Sequence, residues 1–531
     1  MPFYTLVTTV FICLIIGSTS QGQPTPFNDL LKDSTIFFDE LTFHNDAEQS
    51  AFRNHFESNT ANYFDLLYFS SPSANKEKLN AAKSSFQKAV SKVGTGSFEK
   101  KSEKKKVKLL YEKAHEQFFR RYKRENYFHE VFDNGNYNCV SATAIYSLLF
   151  DEFNIPYAIQ AQPTHVYLVA YPETFNLVVE STDPVTGYLE YNRKFKENYI
   201  KQLTQLNMID PGVAQQQSLD ELFSTYFFNH ININIHELTG LQYANNGIYA
   251  YEDKEYDKAI YQLEKALFIY PDVKVAFVLV GAYSSKLAET LYENSQHVEY
   301  LIRLSRYENL GVKPEHITYE FARITREYLL KLNEIGRYDS IYNALSNRIE
   351  NDLVRRNMKE IYHVEKGRIA FNNLDYDKAL DHFATLLTSE PTNNEYKSNY
   401  INAVIMKISN VTNPENALVY VKQVEDSFPS IQTDNKYMNF KIEVYANLMS
   451  IAYDLNQFRK GEHYRTTMEK LMNKTKVLEV LQNNIGIAYA KAGSSYFRTG
   501  QRTKAKSLFE KGLEYAPNHF ELETRLKILN Q

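Results

Sequence analysis

A thiol, an imidazole and two carboxylates stand within one short stretch of the chain: Cys139, His165, Glu180 and Asp183. Cys–His–acid is the smallest set of side chains that performs acyl transfer through a sulfur nucleophile. Cys139 follows the turn-forming run Asn134, Gly135, Asn136, Tyr137, Asn138. After it, Val140, Ala144, Ile145, Leu148 and Leu149 recur at three- and four-residue steps, which predicts a helix over 140–153. Cys139 therefore stands at a helix N-terminus. Unpaired backbone N–H groups and the positive end of the helix dipole favour a thiolate there, and the same groups offer donors to a developing oxyanion.

The elements that must position these groups are short. Asn154, Ile155 and Pro156 break the helical pattern, and residues 157–160 and 165–170 then read as strands rich in β-branched and aromatic side chains. A third strand, 176–180, follows the turn Tyr171, Pro172, Glu173, Thr174. Helix, strand, strand, turn, strand makes a compact α+β core. His165 opens the second strand and Glu180 closes the third, so an antiparallel pair sets them opposite one another.

The stretch resembles the transglutaminase-like superfamily, in the bacterial branch named after SirB1. The matching segments are Asn138-Cys139-Val140-Ser141-Ala142-Thr143, Ile155-Pro156-Tyr157-Ala158, Pro163-Thr164-His165-Val166-Tyr167 and Val178-Val179-Glu180-Ser181-Thr182. The resemblance covers about 100 residues and implies a papain-like core, with a Cys-bearing helix against an antiparallel sheet whose strands supply a His and an acid. It implies Cys139 as nucleophile, His165 as base and Glu180 in the place of the usual Asp, with Asp183 as the alternative third member. The family's aromatic residue two positions after its His is commonly Trp; here it is Tyr167. Attack on an amide would give a thioester, released by water or by an amine, and the residues do not choose between the two.

Residues 1–22 carry an apolar run from Val7 to Ile16 followed by the small-x-small site Ser18-x-Ser20, the outline of a signal peptide, although Lys and Arg are missing ahead of the run. The expectation is an exported protein, periplasmic or secreted, with an anchored form through Cys13 or an uncleaved leader as the alternative. Cleavage would leave Cys139 as the single cysteine, which can form no internal disulfide. Lys+Arg 60 against Asp+Glu 64 gives a net charge of -4, so no basic footprint points to nucleic acid. The remaining histidines lack metal-ligand spacing, and neither a P-loop nor a dinucleotide fingerprint occurs; no cofactor and no metal are expected.

Around the core, residues 23–129 read as a helical region and 191–239 as a helical bridge with apolar stripes such as Leu219, Leu222, Phe223, Tyr226 and Phe227. From 240 to 531 a repeat emerges. Gly247, Ala259, Leu263, Ala266 and Pro271 are matched in spacing by Gly367, Ala379, Phe383, Leu386 and Pro391, and again by Gly493, Ala505, Phe509, Gly512 and Pro517. This resembles the tetratricopeptide pattern, in which small residues let two antiparallel helices approach, with degenerate pairs filling the intervals. The overall expectation is a mostly α chain: an α+β core at 130–190 followed by a helical-repeat array whose partner is a protein or peptide segment. Two functions follow: an acyl-transfer enzyme whose array positions a protein substrate, or an interaction scaffold whose front domain is catalytically silent.

Overall fold

The computed structural model describes residues 36–57, 62–94, 98–162, 165–174, 177–179 and 231–530, Thr412 excepted, with isolated positions at 31 and between 197 and 222. Two compact units divide the chain, 1–355 and 356–531.

The first unit opens with helices α1 (Asp46–Glu57), α2 (Tyr63–Tyr68), α3 (Lys76–Val93) and α4 (Glu103–Phe118). The strand β1 (Arg121–Tyr122), helix α5 (Glu130–Asp133) and strand β2 (Asn136–Tyr137) lead into helix α6 (Cys139–Glu152). β1 and β2 pair in parallel, Tyr122 beside Tyr137. Strands β3 (Tyr157–Gln162), β4 (His165–Ala170), β5 (Leu177–Val179) and β6 (Ile231–Ile233) form one antiparallel sheet in the order β5-β4-β3-β6. The helix and the three strands thus fall where periodicity put them, and α6 is buried on nearly every side. Ile231–Ile233 differs: it lies in the stretch read as a helical bridge, yet it pairs with β3. The alternation Ile231, Asn232, Ile233 has a period of two, which suits a strand and not a helix. The apolar stripe from 219 to 227 falls mostly outside the described residues.

Paired helices follow. In the first unit these are α7 (Ile235–Glu252) with α8 (Tyr256–Ile269), α9 (Val273–Glu289) with α10 (Ser295–Leu304), and α11 (Pro314–Ile324), extended by a π-helical turn Thr325–Lys331, with α12 (Ile335–Arg348). The second unit contains α13 (Asp352–Asn372) with α14 (Tyr376–Ser389), α15 (Asn394–Ser409) with α16 (Pro414–Ser427), α17 (Asn435–Asp454) with α18 (Phe458–Met472), α19 (Gln482–Arg498) with α20 (Arg502–Tyr515), and a last helix, α21 (Phe520–Asn530). The boundary at Arg355 falls in the first turn of α13.

Glycine explains why the recurring positions are small. A Cβ on Gly247 would lie 2.6 Å from Leu263 Cγ, and one on Gly367 would lie 2.6 Å from the Phe383 ring, so each large side chain rests on its partner helix's backbone. The same relation joins Gly493 to Phe509. Within most pairs the first helix ends in a left-handed residue: Lys254, Tyr292, Asn333, Leu374, Asn456 and Gly500. These turns recur about every forty residues apart from the pair α15–α16, so the three clear copies are every third pair and most pairs between them keep the turn but not the full small-residue signature.

In the first unit the N-terminal helices and the first pairs share one buried polar seam. Gln242 Nε2 donates to Asn126 O at 3.2 Å, Asn246 Nδ2 and Gln262 Nε2 donate to Ser70 O, and the Tyr243 hydroxyl donates to Leu66 O. Arg306 grips Glu40 with two guanidinium nitrogens. Buried amides of this kind satisfy backbone carbonyls that would otherwise be stranded in the core.

Candidate functional site

Cys139 is the first residue of α6, and the helix start is built around its neighbour Asn138. The Asn138 Oδ1 accepts from the Ser141 N–H at 2.9 Å, while the Asn138 N–H donates to Ser141 Oγ at 3.0 Å, a reciprocal cap. The Asn138 Nδ2 donates to Arg124 O at 3.0 Å and reaches the Tyr249 hydroxyl at 3.4 Å. Tyr249, on α7, donates its own hydroxyl to Arg124 O at 2.9 Å. Cys139 is a free thiol, 7% exposed.

Two phenols stand close enough to feel the sulfur's charge. Burial first, and then the Coulombic influence of Cys139, push Tyr122 up to about 12. The same two causes raise Tyr249. Tyr122 comes from β1 and packs edge-on against Tyr137, whose ring in turn lies 4.8 Å from Phe119. These rings form an aromatic cluster around β1 and β2, just ahead of the cysteine helix.

The helix and β4 run in the same direction. Near its start, Thr143 Oγ1 donates to Val166 O at 3.2 Å. Near its end, the Phe150 ring lies 6.1 Å from Tyr157, whose hydroxyl donates to Asp151 Oδ2, and Tyr157 pairs with Ala170. Cys139, one turn before Thr143, thus lies at the end of the sheet where His165 begins β4.

The two groups nevertheless start from different faces of the sheet. Directly opposed residues in an antiparallel ladder share a face. The pairs Ile159–Leu168 and Ala161–Val166, with Ala170 and Val179, sit in the buried apolar cluster that also holds Cys139, Ile145 and Phe150. Tyr167 is on the other face, where its hydroxyl donates to Gln160 Oε1 at 2.7 Å. The His165 ring stacks on Tyr167 at 5.9 Å and 25°. The structure brings Cys139 and His165 to one end of the sheet, with the cysteine on its buried face and the imidazole on the face of Tyr167. Glu180 and Asp183 lie outside the described residues. Among the described residues no group of three or more His, Cys, Asp or Glu is placed to hold a metal ion.

Asn138, Tyr122 and Tyr249 were not legible as site residues. An Asn before a helical pattern is a cap signal, but nothing in the sequence ties Tyr249 to a cysteine more than a hundred positions earlier.

A mixed α/β front region followed by paired helices defines a helical-repeat protein. Residues 487–519 match the family model of the tetratricopeptide repeat. That match covers α19 from its sixth residue onward, α20 and the turn after them, the pair built on Gly493 and Phe509. No curated protein matches the chain. Among the described residues no helix is long and apolar enough to cross a membrane.

Proposed function

We propose that the repeat pairs bind a segment of another protein and that the front region acts on what they hold, as a Cys–His–acid acyl-transfer site of the transglutaminase-like kind, in a protein exported by residues 1–22. The observation that carries the site is the placement of Cys139 as the first residue of α6 at the end of β4 that His165 opens. Its Sγ attacks an amide carbonyl carbon after His165 takes the thiol proton. The tetrahedral oxyanion faces the free N–H groups of the first helical turn, and His165 returns the proton to the departing amine. Water or a second amine then releases the thioester. Glu180, with Asp183 as the alternative, orients the imidazole.

For this chemistry the His165 ring must reach the sulfur around the end of β4. Its position on the Tyr167 face favours a second reading, a protein-binding scaffold whose front region is catalytically silent. Alkylation separates the two. Iodoacetamide should modify Cys139 at pH 6 at least about tenfold faster than a free thiol, and His165→Ala should remove that advantage. Equal rates in the two proteins would leave the silent scaffold.

A further inference from the structure

Tyr249 belongs to the first helix of the paired-helix array, yet its hydroxyl is built into the start of the cysteine helix. It donates to Arg124 O at 2.9 Å and meets the Asn138 Nδ2 at 3.4 Å, and that amide also donates to Arg124 O at 3.0 Å. Three groups from three places in the chain, the exit of β1, the helix cap and the repeat helix, thus close on one another. Asn138 is 3% exposed, so its amide is screened from solvent by these partners.

The orientation of that amide decides which helical N–H groups are spent. With Nδ2 held by Arg124 O and Tyr249, Oδ1 points into the helix and takes the Ser141 N–H. The N–H groups of Cys139 and Val140 have no intrahelical acceptor by geometry, and this arrangement leaves them unspent by the cap. An amide free to rotate would present a donor to the helix start or claim a different N–H, and the electrostatic preference for a thiolate would weaken.

We infer that Tyr249 is a positioning residue for Cys139: the first repeat helix completes the cysteine site by fixing the Asn138 cap. The inference rests on the proposed role of Cys139 as a nucleophile and adds a dependence of that site on the array. It also gives the array a second task besides holding a partner, because a displacement of α7 would be felt at the thiol.

The test is the pH dependence of Cys139 alkylation by iodoacetamide in the full chain, followed by mass spectrometry of the Cys139 peptide. Tyr249→Phe removes only the hydroxyl. Its rate should fall about fivefold at pH 6, the effect of one lost hydrogen bond, and the gap from the wild type should narrow at pH 9, above the ordinary thiol value of about 8.5. Tyr251→Phe, two residues along the same helix with its hydroxyl on Ser285, should leave both rates unchanged. Asn138→Ser keeps a capping oxygen and loses the amide donors, so it should reproduce the Tyr249→Phe profile and serves if that variant folds poorly. A fast wild type with unchanged profiles in both variants would overturn the inference and leave the nucleophile standing. A wild type no faster than a free thiol would overturn the nucleophile and the inference with it.

Discussion

Glu48 and Lys265, 217 positions apart, are both fully buried and meet at 2.6 Å, joining α1 to the second helix of the first pair. Burial raises Glu48 and lowers Lys265, and each opposes the other's shift. The Lys265 ammonium also lies 5.6 Å from the Phe43 ring and 5.7 Å from Tyr243. Removing one partner strands a charge, which costs about 3–5 kcal/mol, whereas replacing both with apolar residues is often nearly neutral. Lys265→Met should therefore lower the urea midpoint of the first unit sharply, and Glu48→Met with Lys265→Met should recover most of it. Equal losses in the single and double variants would contradict a coupled pair.

Acid should weaken each unit through its buried histidines, most strongly through His44 in the first and His363 in the second. Burial, then Lys265 and Lys258, lowers His44 from 6.5 to about 3. In the second unit burial, then His382, Lys359 and Lys366, lowers His363 to about 4; its Nδ1 lies 3.0 Å from the Nδ1 of His382. Both rings stay neutral in the folded chain where the unfolded chain takes up protons. Stability is thus complete above about pH 6.5 and is lost as pH falls from there toward the folded values. After solvent screening each group is worth about 1 kcal/mol. His44→Gln should flatten the pH dependence of melting in the first unit, and His363→Gln in the second; an unchanged slope in both would contradict the assignment.

The left-handed turns make an opposite prediction. Leu374 holds φ 63° with its side chain 70% exposed, so it bears the strain of that conformation and buries little. Leu374→Gly should raise the stability of the second unit by about 0.5–1 kcal/mol. Gly367→Ala, seven positions earlier, should lower it by about 1–3 kcal/mol because the added methyl meets the Phe383 ring. Chemical denaturation of the two variants checks both signs, and a Leu374→Gly protein less stable than the parent would contradict the first.

The contrast between these elements explains what could be read in the sequence. The cysteine helix and its three strands follow from patterns local to 140–180, and the clear repeats from small residues at fixed spacing, because close helix approach demands them. The pairs turning at Tyr292 and Asn333 carry no such mark. In them the left-handed turn repeats without the full spacing of small residues. The seam of Asn126, Gln242, Asn246 and Gln262 was equally hidden: its partners are backbone carbonyls, which carry no sequence signature. The face occupied by His165 depends on strand register, which the pairing of Ala161 with Val166 fixes and the spacing of Cys139 and His165 does not.

That register makes the meeting of Cys139 and His165 the point on which the enzyme depends. The direct measurement is disulfide trapping in the His165→Cys variant under mild oxidation, since a bridge forms only when the two Cα atoms come within about 7 Å. A disulfide between Cys139 and the thiol introduced at position 165, seen as one cross-linked peptide by mass spectrometry, is the predicted result. Two thiols that both remain free to alkylate after oxidation would contradict it.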